Sequence, residues 1–74
     1  MSLMTYRTVA VDAFTAIVFA GDLPIYVETR RANFDRAADL ASDFVGEFLP
    51  LGEWSPRDDL FCDTFRARVL SEDR

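Results

Sequence analysis

The chain contains no histidine, no lysine, one cysteine (Cys62), and only three glycines and three prolines in 74 residues. Each shortage excludes something. Without His there is no imidazole base, no Ser-His or Cys-His nucleophile pair, and none of the commonest metal ligand. One Cys cannot make an intramolecular disulfide, and no signal peptide is visible before the fold. The expected setting is therefore reducing and cytoplasmic. No apolar run approaches the roughly 18–20 residues of a transmembrane helix. Eight Arg carry all the positive charge against nine Asp and four Glu, a net of −5. That balance argues against direct nucleic-acid binding and against an anionic membrane, since both require surplus Lys and Arg.

What is present is apolar and aromatic enough to fold. Half the residues are hydrophobic, with seven Phe, two Tyr and one Trp, which excludes a disordered acidic tail. Residues 1–4, Met1-Ser2-Leu3 followed by a second Met at position 4, read as a leader, and residues 5–74 as one small domain. A domain of this size buries only about 60% of its unfolded surface, so help from a partner or a second copy is expected.

Residues 5–29 read as three strands, Tyr6–Val11, Phe14–Phe19 and Leu23–Thr29, because β-branched and aromatic residues fill them and turn residues separate them. Gly21-Asp22 is a two-residue hairpin signal and Asp12-Ala13 a weaker one. Pro24 belongs at a strand start or edge, since it has no N–H for a ladder. Two-residue loops set Ala20 opposite Leu23, Val18 opposite Ile25, Ala16 opposite Val27, Val11 opposite Phe14 and Val9 opposite Ala16. The expected core face is then Val9, Val11, Phe14, Ala16, Val18, Ile25 and Val27. The other face gathers Tyr6, Ile17, Phe19 and Tyr26, either to be covered by the C-terminal segment or to serve as a dimer face.

Residues 33–49 read as an amphipathic helix with Asn33 as N-cap. Phe34, Ala37, Ala38, Ala41, Phe44, Val45, Phe48 and Leu49 recur at spacings of three and four over an arc of about 140°. Pro50 and Gly52 are its expected stop. The last third supports two readings. Ser55-Pro56-Arg57-Asp58 resembles a helix start, with Leu60, Phe61, Thr64, Phe65 and Arg68 on one side. Alternation of Phe65, Ala67 and Val69 with Thr64, Arg66 and Arg68 suits a fourth strand instead. The expected architecture is α+β: a three-stranded antiparallel meander on one amphipathic helix, then a second helix or a fourth strand.

The charge is uneven. Residues 1–34 are neutral, residues 35–63 carry −6, and residues 64–74 carry +1. Asp35, Asp39, Asp43 and Glu47 stand at four-residue intervals, which stacks carboxylates about 6 Å apart along a helix. Like charges at that spacing weaken a helix by a few tenths of a kcal/mol per pair, and only Arg36 relieves them locally. The row is either a solvated face or a linear array of negative charge for a basic groove. Asp58-Asp59 extends it, and without further ligand spacing the pair is no metal site. Trp54, in an expected Pro/Gly-bounded loop, is either an interface anchor or a cover for the core. Cys62 reads as a buried small hydrophobe, and Arg30-Arg31 offsets nearby acids. With no catalytic constellation visible, the chain reads as non-enzymatic, without cofactor or metal.

Two resemblances follow from these residues. Asp22-Leu23-Pro24, the strand after it, and the helix bearing Ala37, Ala38 and Ala41 resemble the strand-helix part of HicB-type antitoxin domains, over about residues 14–49. That family's Gly-rich, Tyr-bearing hairpin is missing here. The row Asp35, Asp39, Asp43, Glu47, with Asp58 and Asp59, is similar in size, charge and layout to small acidic phage-encoded inhibitors of the anti-CRISPR type. That second likeness implies a nucleic-acid mimic binding a larger protein with a basic surface, with Trp54 supplying contact area. The first implies a homodimeric accessory or antitoxin-like protein using Tyr6, Ile17, Phe19 and Tyr26.

Overall fold

The structure, a computed structural model, describes residues 5–46, 49–57 and 63–70. Among the described residues, five strands form one antiparallel sheet: β1 (Tyr6–Ala10), β2 (Ala16–Ala20), β3 (Leu23–Arg30), β4 (Leu51–Pro56) and β5 (Thr64–Val69). Their spatial order is β1-β2-β3-β5-β4. Between β3 and β4 the chain makes a single 3-10 turn (Arg31–Asn33) and then the helix α1 (Phe34–Val45), which lies against one side of the sheet. The class is α+β, and the first three strands form the expected meander.

In the last third, the described residues form two strands and no helix. Thr64, Phe65 and Arg68, expected on a second helix, lie in β5, and Trp54, expected in a loop, lies in β4. The alternating pattern of Phe65, Ala67 and Val69 outweighed the Ser-Pro helix-start signal because β3 offered it an unpaired edge. Ala67 faces Val27 on one side and Trp54 on the other, and is fully buried. Leu60, Phe61 and Cys62 lie outside the described residues.

The helix is shorter than expected. Gly46, at φ 79°, takes the left-handed conformation that Gly adopts without Cβ strain, and its N–H donates to the Ser42 carbonyl at 2.7 Å. Thus Gly46, and not Pro50, ends α1. The Ser42 hydroxyl then accepts from the Leu49 N–H at 3.1 Å, turning the chain so that Leu49 is buried. Asn33 occupies the cap position, but its side chain makes no capping bond, because the preceding 3-10 turn feeds directly into the helix.

The register corrects the expected core. Asp12 closes the first hairpin through its side chain: Oδ1 accepts from the N–H groups of Phe14 (2.8 Å) and Thr15 (2.7 Å). Val11 N–H also donates to the Thr15 carbonyl at 2.9 Å. The connection is therefore longer than two residues, and Val9 pairs with Ile17 instead of Ala16. In the second hairpin Ala20 does face Leu23, but an irregularity at Val18/Phe19 shifts the rest by one, giving Val18–Tyr26 and Ile17–Val27. A one-residue shift on each side of β2 leaves β1 and β3 facing as expected and inverts β2. Ile17 and Phe19 enter the core, Ala16 and Val18 turn to the opposite side, and Phe14 is exposed in the loop.

The core lies between the sheet and α1. Ile17, Phe19, Val27, Ala37, Ala41 and Leu49 are its buried centre, with Val9, Val11, Val45, Leu51, Trp54 and Val69 around them. One cross-sheet row, Val9–Ile17–Val27–Ala67–Trp54, runs under the helix. Ala37 and Ala41 are fully buried and small enough to bring the helix axis close to the strands. Beside the core, the Thr15 and Thr29 hydroxyls bond each other at 2.8 Å, satisfying two buried polar groups.

Candidate functional site

The acidic row is the side of α1 farthest from the sheet. At 100° per residue, Asp35, Asp39 and Asp43 span about 80°, centred roughly opposite the arc of Ala37 and Ala41. All three are exposed while those two alanines are buried. Their four-residue spacing sets carboxylates about 6 Å apart along the axis. Arg36 is exposed on the same side, so it dilutes the row without burying it. Its guanidinium also acts on Asp12 across the β1–β2 connection. Glu47, Asp58 and Asp59, named with this row, lie outside the described residues.

Trp54 is placed for packing. Its ring stacks parallel on Phe34, the first residue of α1, with centroids 4.7 Å apart and planes 1° from parallel. Phe65 meets Phe34 edge-on at 5.3 Å, and the Arg31 guanidinium lies 5.0 Å over Phe65. This cluster fixes the start of the helix against β4 and β5. Trp54 is half-buried in it and packs on the first residue of the helix that carries the acidic row. Phe44, on the last turn of α1, is the large apolar side chain that the helix does expose.

The four residues expected to share an aromatic dimer face are divided between the two sides. Ile17 and Phe19 are under α1. Tyr6 and Tyr26 are on the uncovered side, since Tyr6 alternates with Arg7 and Val9, and Tyr26 with Val27. The inverted β2 is the physical reason, and no such face exists.

The uncovered side of the sheet carries an arrangement that sequence reading missed. Glu28 is buried there, and its carboxylate accepts from Arg66 Nε (2.9 Å), Arg66 Nη2 (2.6 Å) and Arg57 Nη1 (3.2 Å). Arg66 also lies 4.3 Å over the Tyr26 ring, a geometry favourable for a cation and a ring face. Arg68 pairs with Tyr26 and Arg30 with Thr64 on this side, and Arg30 reaches over the exposed Phe14 ring at 5.9 Å. The domain thus presents arginines around one buried carboxylate below the sheet, and a carboxylate row above the helix. Alternation of Arg66 and Arg68 with Phe65, Ala67 and Val69 was the available signal, but only for a strand.

Asp12 has its pKa lowered, first by the Phe14 N–H that bonds its carboxylate and then by the bond from Thr15, with Arg36 adding a smaller attraction. This is a turn device. Among the described residues, no group of three or more acidic or cysteine side chains is arranged to hold a metal ion, and no helix is long and apolar enough to cross a membrane. No protein family matches the chain, and no curated protein or solved structure is found to be similar to it.

Proposed function

We propose that this is a non-enzymatic binding protein whose acidic helix face engages a basic, nucleic-acid-binding surface of a larger protein. It would act as a nucleic-acid mimic in the manner of small anti-CRISPR-type inhibitors. The observation that carries this reading is the placement of Asp35, Asp39 and Asp43. They are exposed, evenly spaced, and on the side of α1 pointing directly away from the sheet. The row is slightly unfavourable to its own helix, so folding does not require it. A regular line of negative charge fits a groove that holds a phosphate backbone, and complementary charge speeds encounter and sets orientation. Trp54, stacked on Phe34, keeps the helix that carries the row in place.

The test is capture from nuclease-treated host lysate at low and high salt, comparing the wild-type chain with Asp35→Arg/Asp39→Arg/Asp43→Arg. The expected result is a nucleic-acid-binding protein that the wild type retains at low salt, that a DNA oligonucleotide displaces, and that the variant fails to hold. Capture unaffected by the reversal, or insensitive to the oligonucleotide, would refute the reading.

A further inference from the structure

The two edges of the sheet are protected unequally. β4, at one edge, has an irregular register between Leu51 and Trp54 and ends in Pro56, which has no N–H to offer. Those are the usual devices that keep an edge strand from pairing with another chain. β1, at the other edge, has none of them. It is regular over Tyr6–Ala10, contains no Pro or Gly, and no described strand lies beyond it. Its residues are almost all exposed, Tyr6 at 62%.

The hydrogen bonds at the ends of β1 fix which amides are free. Val11 N–H donates to Thr15, and the Thr5 carbonyl accepts from Gly21. Odd-numbered residues therefore turn their backbone groups toward β2, because antiparallel ladders alternate. The N–H and C=O groups of Tyr6, Thr8 and Ala10 point outward along the free edge.

We propose that β1 pairs with β1 of a second copy, antiparallel, about a two-fold axis through Thr8. Self-complementarity selects this axis. An axis at Arg7 would set two guanidiniums opposite each other, and one at Val9 would pair only the end of the strand. The axis at Thr8 matches all of β1: Thr8 faces Thr8 of the second copy, Tyr6 faces Ala10, and Arg7 faces Val9. No like charges are opposed, and the outward groups of Tyr6, Thr8 and Ala10 form about six new hydrogen bonds. The product is one continuous ten-stranded sheet with both helices on the same side, so the two acidic rows face the same way. A closed two-fold pair also uses up each copy's open edge, which stops further growth. This inference is independent of what the acidic row binds.

Sedimentation velocity over a wide concentration range, up to millimolar, tests it, together with amide hydrogen exchange. The expected result is a dimer that persists in high salt, with Tyr6, Thr8 and Ala10 amides slowing as concentration rises. Thr8→Pro removes an outward N–H without touching the β1–β2 ladder, so it should give a folded monomer by circular dichroism. Thr8→Lys should weaken the dimer at least tenfold at low salt, by setting two ammonium groups across the axis, and recover partly at high salt. A wild-type monomer at millimolar concentration overturns the proposal. So does a dimer that neither variant weakens, or one in which the β1 amides exchange as fast as in the monomer.

Discussion

The two sides of this sheet solve the problem of a small domain differently. The side under α1 is closed by apolar contact: Ile17 and Val27 at 0% exposure, Ala37 and Ala41 against them, and Trp54 and Phe65 around Phe34. Among the described residues no layer lies above the other side, yet Glu28 is nearly as buried, because Arg57 and Arg66 roof it. The covered side gains from area removed from water. The uncovered side gains from charge-assisted hydrogen bonds between groups that still touch solvent, which is worth less per residue. The difference also sorts charge. Carboxylates not needed by the fold collect on the outer face of α1, and arginines collect on the uncovered side of the sheet.

Substitutions should rank accordingly. Val27→Asp places a charge in the covered core with no partner and should leave the chain unfolded by circular dichroism, since the cost exceeds a small domain's stability. Ser55→Asp, on the uncovered side and exposed, should leave the spectrum unchanged. Trp54→Ala removes the ring stacked on Phe34 and should cost about 2–3 kcal/mol in urea unfolding. Glu28→Ala removes one acceptor from each of two guanidiniums that are about a third exposed, so about 1–2 kcal/mol is expected. A loss from Glu28→Ala larger than from Trp54→Ala would invert the comparison.

The smallest effects belong to groups outside both layers. The lowered pKa of Asp12 means its carboxylate is bound more tightly in the folded chain than in the unfolded one. Its contribution is present above the ordinary value of 3.8 and is lost as pH falls from there through its own lower value. Asp12→Ala should lower Tm at neutral pH and flatten the acid limb of a Tm–pH profile. Asp39→Asn, which removes two i,i+4 repulsions, should raise stability by a few tenths of a kcal/mol.

How much of this was legible in the sequence depends on how local each determinant is. The three first strands, the hairpin at Gly21-Asp22 and the buried stripe of α1 follow from neighbours within a turn or two. The inverted β2 does not. It turns on whether the Asp12 carboxylate bonds Phe14 and Thr15 N–H groups, and on one irregularity at Val18/Phe19, each a one-residue difference that reverses every side chain on the strand. The fate of residues 64–69 was decided by β3, a strand far away in the sequence that needed a partner. The exposed positions of Asp35, Asp39 and Asp43 were readable from spacing alone. The Glu28 cluster was not, because its members come from three separated segments.

The proposed function assigns binding to one side of the molecule only, and charge reversal on each side tests that assignment most directly. Binding to the captured basic partner should be measured for Asp35→Arg/Asp39→Arg/Asp43→Arg and for Arg68→Glu, on chains with wild-type circular dichroism. The account predicts that the helix variant loses binding at least a hundredfold and that Arg68→Glu keeps it. Retained binding by the helix variant, with loss in Arg68→Glu, would place the contact on the uncovered side of the sheet and contradict the account.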